Sequence, residues 1–468
     1  MEKKDLFIEK MRSEGLPETA IDVFSHYYRR FAEGIRSTIP ESEIVPVKPE
    51  EIADRSQLNR YSEEGKNALA KTAVIKLNGG LGTTMGLQGP KSLIKVKNGL
   101  TFLDITVMQI RHLNERGGLN IPIIIMNSFF TDSSTRKAIE NKNHHDTDFI
   151  QFFNQHKFPK ILESSLEPVS FPSMPLLEWY PAGHGDLLLS LQTSGLLKKL
   201  IRTGYRYLFV SNIDNLGAEI DPCILGYFAS ENIDFLMEVT DRTDMDRKGG
   251  HLARLKSGPL VLREAAQCDR TDNGFFSDIL RHRFFNTNNL WINTESALRM
   301  IGDGKYADLP MIVNRKRLVL TDPSSPSVCH LESALGSAIL LFKKSAAVKV
   351  PRSRFIPVKN CDDLLLVWSD YYLLGKDGRI LPHPARESEH IALTLDSEFY
   401  SSVNLLESHF PLGAPSLINC TSFSVKGDVK FGHNIKLRGV VSITNVTPTQ
   451  VSLPDDSTIA GKLTIQAP

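Results

Sequence analysis

The sequence has little of what marks secreted, membrane-spanning or nucleic-acid-binding proteins. Its five cysteines are scattered over 468 residues without a CxxC pair, which argues against a disulfide framework or a zinc site and fits a reducing compartment. The N-terminal segment lacks the apolar run of a secretory signal, and no apolar run approaches the ~20 residues that span a bilayer. A formal net charge of +1 provides no basic field for nucleic acid. These absences predict a cytoplasmic protein without a membrane or nucleic-acid partner.

The chain is long enough for two or three domains. Its 41% hydrophobic and 23% charged residues are ordinary for a globular protein that buries a sizeable core. Changes in pattern predict three domains, with the bounds 1–65, 66–410 and 411–468. The first is predicted as a helical lead-in, because Ile21, Phe24 and Tyr28 fall at helical spacing before Pro40 breaks the pattern.

Short apolar runs in the central domain predict buried strands. The runs are TAVIKL at Thr72–Leu77, IPIIIM at Ile121–Met126, YLFV at Tyr207–Val210 and FLMEV at Phe235–Val239. Such runs are typical of strands covered on both faces, and their alternation with helical segments such as Phe102–Leu113 predicts βαβ units of an α/β fold. Ligands of these folds bind at the carboxyl ends of the strands, so the residues after each run are candidate site residues.

The last part of the chain has a six-residue period. Apolar residues recur in two series, Val425, Phe431, Leu437 and Ile443, and Val429, Ile435 and Val441. A hexapeptide period predicts a parallel β-helix, in which each coil stacks its apolar side chains on the next. An ordinary β-meander is the alternative, and the boundary is predicted near His409–Pro415.

The segment KLNGGLGTTMGLQGPKSL after the first apolar run is the strongest local motif. Its glycines are Gly79, Gly80, Gly82, Gly86 and Gly89. Glycine lets backbone N–H groups approach a polyphosphate closely, and Lys91 adds a mobile cation that binds phosphate. This combination suits a triphosphate, whereas a structural Gly-rich turn would leave Lys91 without a purpose.

Two commoner phosphate motifs do not fit this segment. Gly80, Gly82 and Gly86 are spaced G-x-G-x-x-x-G, one residue longer than the dinucleotide fingerprint. Pro90 separates the last glycine from Lys91, so the Walker sequence is also absent. The loop therefore indicates neither a Rossmann dehydrogenase nor a P-loop ATPase.

The segment closely resembles the loop of UTP–glucose-1-phosphate uridylyltransferases (UDP-glucose pyrophosphorylases), whose pattern is L-N-G-G-L-G-T, M-G and G-P-K-S. Further matching blocks follow in the family's order. They are MNSF at Met126–Phe129, FNQ at Phe153–Gln155, WYPAGHGD at Trp179–Asp186, SNIDNLGA at Ser211–Ala218, MEVT at Met237–Thr240, FNTNNLW at Phe285–Trp291 and VPRSRFIPVK at Val350–Lys359. Related UDP-N-acetylhexosamine enzymes usually carry Ala in place of Asn78, which favours the glucose branch.

The resemblance implies a fold, an activity and possible assembly into a homo-oligomer. The fold would be a Rossmann-like nucleotidyltransferase of the GT-A type, with a mixed, mostly parallel sheet flanked by helices and a C-terminal left-handed parallel β-helix. The activity would be Mg²⁺-dependent transfer of UMP from UTP to glucose 1-phosphate, giving UDP-glucose and pyrophosphate. The tail offers exposed strand edges for a homo-oligomer.

Two alternatives to that activity stay open at this stage. A broader UDP-sugar pyrophosphorylase would differ by a few side chains that read one hydroxyl. A non-catalytic UDP-sugar binding or scaffold protein is the alternative of another class, but Lys91, Asp214 and Lys359 argue against it.

The resemblance implies a nucleotide end and a catalytic lysine pair. Leu77, Asn78, Gly79 and Gly80 would contact uridine and phosphates, Gly79 and Gly80 would also contact the sugar substrate, and Gln155 and Gly183 would read uracil. Lys91 and Lys359 would be catalytic cations that also bind the nucleotide phosphates. Beyond Lys359 the sequence has Asn360 and Cys361 where relatives often have small hydroxyl residues. This departure concerns the fine tuning of the site around Lys359 and not the role of Lys359.

Asp214 has a case of its own. It comes shortly after the run YLFV, near the carboxyl end of a predicted parallel strand, where one carboxylate can hold Mg²⁺ together with phosphate oxygens and water. Asn212, two residues earlier, would point to the same side. Both are predicted to contact nucleotide and sugar phosphate. The alternative for Asp214 is a helix N-cap or an Asx-turn.

The sugar end rests on four residues. His184 in PAGHGD would contact the sugar phosphate, although a lone histidine is more often structural. Glu238, Gly250 and Asn288 resemble the family's contacts to sugar hydroxyls. Asn286, Asn288 and Asn289 crowd together in a way that is odd for a strand core and indicates hydrogen bonding to a polar ligand.

Overall fold

The computed structural model of the chain describes residues 2–141, 148–320 and 322–466. Its helices are α1 Lys3–Ser13, α2 Glu18–Ala32, α3 Ser62–Ala68, α4 Phe102–Gly117, α5 Asp132–Asn141, α6 Leu187–Thr193, α7 Leu196–Arg202, α8 Pro222–Ser230, α9 Asn273–Ser277, α10 Thr294–Gly302, α11 Cys361–Trp368, α12 Ser397–Tyr400 and α13 Val403–His409. Within these ranges, we find no helix with the length and apolar character needed to cross a membrane.

Strands make up most of the remaining regular structure. They are β1 Ile44–Pro46, β2 Ala53–Asp54, β3 Thr72–Asn78, β4 Lys95–Lys97, β5 Leu100–Thr101, β6 Ile123–Asn127, β7 Ile150–Asn154, β8 Lys157–Pro159, β9 Ile161–Leu162, β10 Trp179–Pro181, β11 Tyr207–Asn212, β12 Phe235–Asp241, β13 His251–Leu255, β14 Leu260–Arg263, β15 Phe284–Asn293, β16 Met311–Arg317, β17 Ser327–Ser333, β18 Ser345–Lys349, β19 Tyr372–Leu374, β20 Ile380–Pro382, β21 Ala392–Leu395, β22 Cys420–Lys426, β23 Val429–Lys430, β24 Lys436–Asn445, β25 Val451–Ser452 and β26 Thr458–Ile465.

A central sheet organises the molecule. Its main path runs β2-β18-β12-β15-β11-β3-β6-β7, with β13 attached to β15 and pairing in turn with β1 and β14. Neighbours along the main path are parallel except on both sides of β15, which is antiparallel to β11 and β12. The four predicted strands are confirmed as β3, β6, β11 and β12. A mixed, mostly parallel sheet in an α/β fold is therefore observed.

Local sequence explains where helix α4 begins and ends. Thr101 caps α4, because its hydroxyl accepts from the N–H of Asp104 and the Asp104 side chain accepts in return from Thr101. The helix ends at Gly118, whose φ of 57° suits glycine as a C-terminal residue. Its buried face includes Phe102, Ile105 and Ile110. The helix thus starts where the apolar period predicts and runs one turn beyond Leu113.

The sheet is covered on both faces, which explains the continuous apolar runs. Alternating residues of one strand enter different cores: Val74 packs in one cluster and Ala73 and Ile75 in the other. In the same way Leu236 of β12 lies in the first cluster and Met237 in the second. The two-residue period of a strand therefore decides which side of the sheet each side chain serves.

The N-terminal part is helical at first and then joins the sheet. Phe7 of α1 and Phe24 of α2 pack with Phe158 and Tyr180 in a third apolar cluster. After the helices, β1 pairs antiparallel with β13 and β2 pairs parallel with β18. Residues 1–65 were predicted as a helical segment alone, so these edge strands are an addition that the sequence did not indicate.

The C-terminal part stacks its strands in parallel. β21, β22, β24 and β26 form one parallel sheet, and β23 and β25 form another parallel pair. All members of the two hexapeptide series are buried, and the parallel pairing is not that of a meander. β21 lies before residue 410, so this sheet recruits a strand from ahead of the predicted boundary.

Candidate functional site

A cavity of about 710 Å³ opens at the carboxyl ends of β3, β6 and β11. Parallel strands end at one edge of the sheet, which brings together residues far apart in sequence. The predicted site residues that line it are Leu77, Asn78, Gly79, Gly80, Lys91, Gln155, Gly183, His184, Asn212 and Asp214. The predicted nucleotide end of the site therefore forms one surface, apart from Lys359.

The Gly-rich segment forms a loop that closes on itself. The N–H of Gly82 donates to the carbonyl of Gly89 at 3.1 Å, and the N–H of Leu87 donates to the carbonyl of Gly82 at 3.1 Å. Gly86 has a φ of 71°, and a Cβ there would lie 2.5 Å from the Cβ of Ser402, the N-cap of α13. Glycine is required at this position because backbone and contact both exclude a side chain.

Gln155 bridges the loop and the turn after β10. Its Oε1 accepts from the N–H of Gly183 at 3.0 Å, and a Cβ on Gly79 would lie 1.7 Å from its Nε2. Gly183 has a φ of 91°, which favours glycine. Because the acceptor oxygen is taken, the NH₂ group of Gln155 is the part that remains to donate toward a ligand.

A buried histidine supports this turn from behind. The carboxylate of Asp186 accepts from the backbone N–H of His156 at 2.7 Å and lies 2.9 Å from its Nδ1. Burial opposes protonation, but the Asp186 carboxylate raises the pKa of His156. His156 follows Gln155 directly, and Asp186 ends the 3₁₀ turn that begins at His184. The contact between His156 and Asp186 therefore fixes the distance between Gln155 and His184.

His184 is held as a neutral imidazole with one defined tautomer. Its Nδ1 accepts from the backbone N–H of Leu335 at 3.1 Å, and burial lowers its pKa. A ring that accepts at Nδ1 while neutral carries its proton on Nε2. His184 is thus a hydrogen-bond donor in the cavity wall.

Asp214 and Lys91 form the charged centre of the cavity. The Lys91 ammonium lies 2.6 Å from Oδ2 of Asp214, and both side chains are largely buried. The carbonyl of Asp214 accepts from the N–H of Val358 at 3.2 Å, which ties it to the segment that carries Lys359. The following helix α8 is capped by Asp221, so Asp214 is not the helix cap that one sequence alternative suggested.

Asn288 lies beside the cavity in an unusual conformation. Between the pairs Val239–Asn286 and Met237–Leu290, three residues of β15 oppose one of β12, which forms a bulge. Asn288 has a φ of 58° there, and its Nδ2 donates to Oδ1 of Asn212 at 2.9 Å. Its own Oδ1 is buried and has no hydrogen-bond partner among the described residues, which leaves an acceptor for a ligand.

The structure does not bring Glu238 to the cavity. Its side chain is 0% exposed and lies on the opposite face of β12 from Met237 and Val239. Its carboxylate accepts from Arg354 at 2.8 and 2.7 Å, from Trp291 at 3.0 Å and from Asn289 at 3.1 Å. The predicted sugar contact is corrected here to a buried structural carboxylate, because all its acceptor positions serve the protein.

Glu264 lies next to Gly250, a predicted sugar contact, and was not itself among the predicted site residues. A Cβ on Gly250 would lie 2.5 Å from its carboxylate, so the predicted residue Gly250 marks a close approach to Glu264. Burial raises the pKa of Glu264 although the Lys359 charge opposes the shift. No motif includes Glu264. The glycine pair Gly249–Gly250 was the only local signal that two elements meet here.

Lys359 lines a second cavity of about 740 Å³. Its ammonium is 5.8 Å from the ring centre of Phe285 and 5.6 Å from that of Phe355. The hydroxyl of Thr84, in the Gly-rich loop, donates to the carbonyl of Lys359 at 3.4 Å. Lys359 is thus close to the loop, while its charged end rests on aromatic rings outside the first cavity.

At the phosphate end of the first cavity, Asp214 is the carboxylate that could hold a divalent cation. Throughout residues 2–141, 148–320 and 322–466, no three or more His, Cys, Asp or Glu side chains cluster in a way that could hold a metal. Mg²⁺ binds through one or two carboxylates and completes its shell with phosphate oxygens and water. Asp214, with Asn212 beside it, matches that mode, provided that Lys91 turns from the carboxylate to the phosphates.

Comparisons with known proteins agree over nearly the whole chain. A family model for UTP–glucose-1-phosphate uridylyltransferases matches residues 21–438. The UTP–glucose-1-phosphate uridylyltransferase of Encephalitozoon cuniculi is 40% identical over 453 residues, covering 97% of this chain and 89% of that one. The Saccharomyces cerevisiae enzyme of the same name is 39% identical over 443 residues, covering 94% and 87%.

Solved structures show the same likeness. A variant of the UDP-glucose pyrophosphorylase of Leishmania major, in complex with UDP-glucose, has a TM-score of 0.92 at 38% identity and covers 99% of both chains. A UDP-glucose phosphorylase of Trypanosoma brucei has a TM-score of 0.89 at 38% identity, again with 99% coverage of both chains.

Proposed function

The chain belongs to the UTP–glucose-1-phosphate uridylyltransferase family, and on that premise we propose that its cavity joins UTP to glucose 1-phosphate, giving UDP-glucose and pyrophosphate. One observation carries the proposal: the Gly-rich loop, the Gln155–Gly183 pair and the Lys91–Asp214 pair line one cavity at the strand ends. These groups can bind a nucleoside triphosphate along one direction, with the base at the Gln155–Gly183 pair and the phosphates at the Lys91–Asp214 pair. A nucleotidyltransferase needs little more than such positioning.

The reaction brings two anions together. A phosphate oxygen of glucose 1-phosphate attacks the α-phosphorus of UTP, and the bond to the β-phosphate oxygen breaks as pyrophosphate leaves. The protein must overcome the repulsion between the reactants and hold them in line. Lys91 is one cation for this task, and a Mg²⁺ ion on Asp214 would supply further charge neutralisation on the phosphates.

Hydrogen bonds recognise the uracil base. The NH₂ group of Gln155 donates to a uracil oxygen, while Gly79 and Gly183 let the backbone come close to the ring. His184 donates from Nε2 to the sugar phosphate, since its Nδ1 is occupied by Leu335. A neutral donor at this place keeps its role across the physiological pH range, because burial lowers its pKa.

The sugar end is formed by Asn288 and Glu264. The unpaired Oδ1 of Asn288 and the carboxylate of Glu264 beside Gly250 are acceptors for sugar hydroxyls. Glu264 takes the role that the family resemblance implied for Glu238. The proximity of Lys359 to Glu264, expressed in the pKa of Glu264, supports a sugar phosphate lying between these two side chains.

The decisive experiment is a pyrophosphate-release assay with UTP, glucose 1-phosphate and MgCl₂. Release with MgCl₂ and none with EDTA would support the reaction and the metal. No release, while UDP-glucose binds normally, would favour a binding protein. Galactose 1-phosphate in a parallel assay decides between a glucose enzyme and a broader UDP-sugar enzyme.

Lys359→Ala tests the catalytic lysine. We expect kcat to fall about 10²- to 10³-fold, the range for removing one group that stabilises transition-state charge, with an unchanged unfolding temperature because the Lys359 side chain is exposed. Lys376→Ala, at another exposed lysine, is the matched control. An unchanged kcat in Lys359→Ala removes this residue from the mechanism.

The remaining proposals concern the tail and the cellular location. We propose that the parallel strands of residues 411–468, with β21, form a left-handed β-helix, as in the GT-A type fold with such a tail. β26 ends that stack and offers an edge to a second copy, which light scattering on the full-length chain would detect. The five free thiols support a cytoplasmic location.

A further inference from the structure

The first cavity continues past Gln155 and Gly183 into a space that the proposed reaction does not use. Its walls are the strands β8 to β10 on one side and the β16–β17 hairpin on the other. We call this space the hairpin compartment and define it by Lys160, Trp179, Tyr180, Leu318, Leu320 and His330, all of which line the cavity. No residue of the predicted site except the bordering Gln155, Gly183 and His184 belongs to these elements.

Lys160 is the unusual residue of the compartment. Its backbone is fixed, because its N–H donates to the carbonyl of Glu178 at 2.8 Å and its carbonyl accepts from Val169 at 2.9 Å. Only 8% of the residue is exposed, yet among the described residues its ammonium contacts no hydrogen-bond acceptor or carboxylate. Burial and the neighbouring Lys316 lower its pKa to about 8. A nearly buried cation without a counter-ion is costly for a protein to keep.

His330 shares this compartment and is also incompletely paired. Its ring stacks on Tyr180 with centroids 4.3 Å apart, and 7% of the residue is exposed. Its Nε2 is buried and has no hydrogen-bond partner in the part of the chain that the structure describes, while Nδ1 lies 3.7 Å from the carboxylate of Glu332. Glu332 also interacts with Lys316. The one carboxylate of this wall is therefore engaged by His330 and Lys316, not by Lys160.

Apolar and charged side chains share the rest of this cavity wall, because Lys316, Arg317 and Glu332 also line it. The apolar residues Trp179 and Leu318 are 4% and 5% exposed. Leu320, near the tip of the hairpin, is 65% exposed and stands at the opening. Apolar residues beside a nearly buried, unpaired ammonium fit a molecule with an anionic head and an apolar body.

We propose that the hairpin compartment is a second binding site, which takes an organic phosphate or carboxylate with an aromatic or branched body and is distinct from the substrate positions. The anionic head pairs with Lys160, and the body lies between Trp179 and the hairpin. The ligand supplies the counter-charge that the protein itself does not provide for Lys160.

Phenyl phosphate is a suitable probe, titrated by calorimetry into the full-length protein saturated with UDP-glucose. Saturation blocks the phosphate positions at Lys91 and Lys359, so any remaining binding reports the second site. Phenol lacks the charge and inorganic phosphate lacks the body, so we expect each to bind at least tenfold more weakly than phenyl phosphate.

Lys160→Met removes the charge and keeps the apolar stem, and we expect it to weaken phenyl phosphate binding at least tenfold. Lys376→Met is the control, because Lys376 is an exposed lysine that is not part of the cavity lining; the affinity of this variant should equal that of wild type. The unfolding temperature of Lys160→Met should be equal to or higher than that of wild type, because this variant loses an unpaired buried charge.

Leu320→Glu provides an independent test on an exposed side chain that does not affect folding of the core. A negative charge at the opening should weaken binding of the probe several-fold. Displacement of phenyl phosphate by UDP-glucose, equal affinity in Lys160→Met, or absence of detectable binding would each overturn the proposal.

Discussion

Glu238 and Glu264 are two glutamates near the same part of the central sheet, and they differ in how the protein uses them. The carboxylate of Glu238 is fully buried and accepts hydrogen bonds from Arg354, Trp291 and Asn289. The carboxylate of Glu264 is only partly buried and abuts Gly250, and among the described residues no arginine or lysine forms an ion pair with it.

The difference separates a structural carboxylate from one that is available to a ligand. Arg354 links Glu238 to the site, because its carbonyl accepts from Asn215, which follows Asp214, and from Asn289, which follows Asn288. Glu238 therefore holds together the segments that carry the site without touching the cavity. Burial of Glu264 without an arginine partner of this kind in the described residues is the arrangement expected of a carboxylate that a polar ligand completes.

The largest expected effect comes from Glu238→Gln. Neutralising this carboxylate leaves Arg354 buried without its counter-charge, which destabilises a protein by about 3–5 kcal/mol. Urea unfolding measures the loss. The double variant Glu238→Leu/Arg354→Met should recover a large part of it, because both charges are gone. Unchanged stability together with a raised KM for glucose 1-phosphate would contradict the structural role and return Glu238 to the sugar site.

Glu264→Gln should show the opposite pattern. Loss of a charged hydrogen bond to a sugar hydroxyl costs about 1.5–3 kcal/mol, so kcat/KM for glucose 1-phosphate should fall roughly 10- to 150-fold. KM for UTP and the stability should stay close to wild type. Steady-state kinetics with each substrate varied in turn gives both values, and Glu295→Gln at an exposed glutamate is the control. Equal losses for both substrates would show that Glu264 does not read the sugar.

Asn288 allows a finer test of the same sugar end. Asn288→Gly removes the side chain and tolerates the φ of 58°, so kcat/KM for glucose 1-phosphate should fall about 3- to 12-fold, corresponding to one neutral hydrogen bond of about 0.5–1.5 kcal/mol. Asn288→Ala should lose a further ~1 kcal/mol of stability, because alanine is strained in the left-handed region. Kinetics and urea unfolding on both variants separate these effects. A stability loss in the glycine variant as large as in the alanine variant would contradict the explanation.

The smallest expected effect is a pH dependence of stability. Burial raises the pKa of Glu264 in the folded state above its ordinary 4.5, so the folded state binds more protons than the unfolded state between the two values. Stability is then highest below pH 4.5 and is lost as pH rises through the raised pKa. The stability of wild type minus that of Glu264→Gln should therefore decrease from pH 4 to pH 7. A flat difference would show that the carboxylate is not desolvated.

The residues predicted for the nucleotide end line one cavity, and the sequence could indicate this proximity because they follow strands. Gly79, Gln155 and Asp214 each come directly after an apolar run or a short block, and parallel strands bring such residues to one edge. The sugar end could not be found in this way. The direction of Glu238 depends on strand alternation beside a three-residue bulge, and Glu264 follows a strand that no pattern predicted.

The sequence by itself determined the α/β class, the four buried strands, the Gly-rich loop and the family, because each rests on local period or on contiguous blocks of residues. Tertiary structure alone decided which carboxylate is paired and which is open, since this depends on Arg354, Trp291 and Gly250, which are 116, 53 and 14 residues from the glutamates they contact. It also decided that Lys160, an ordinary lysine in the sequence, is buried without a counter-charge, because only the packed hairpin removes it from water.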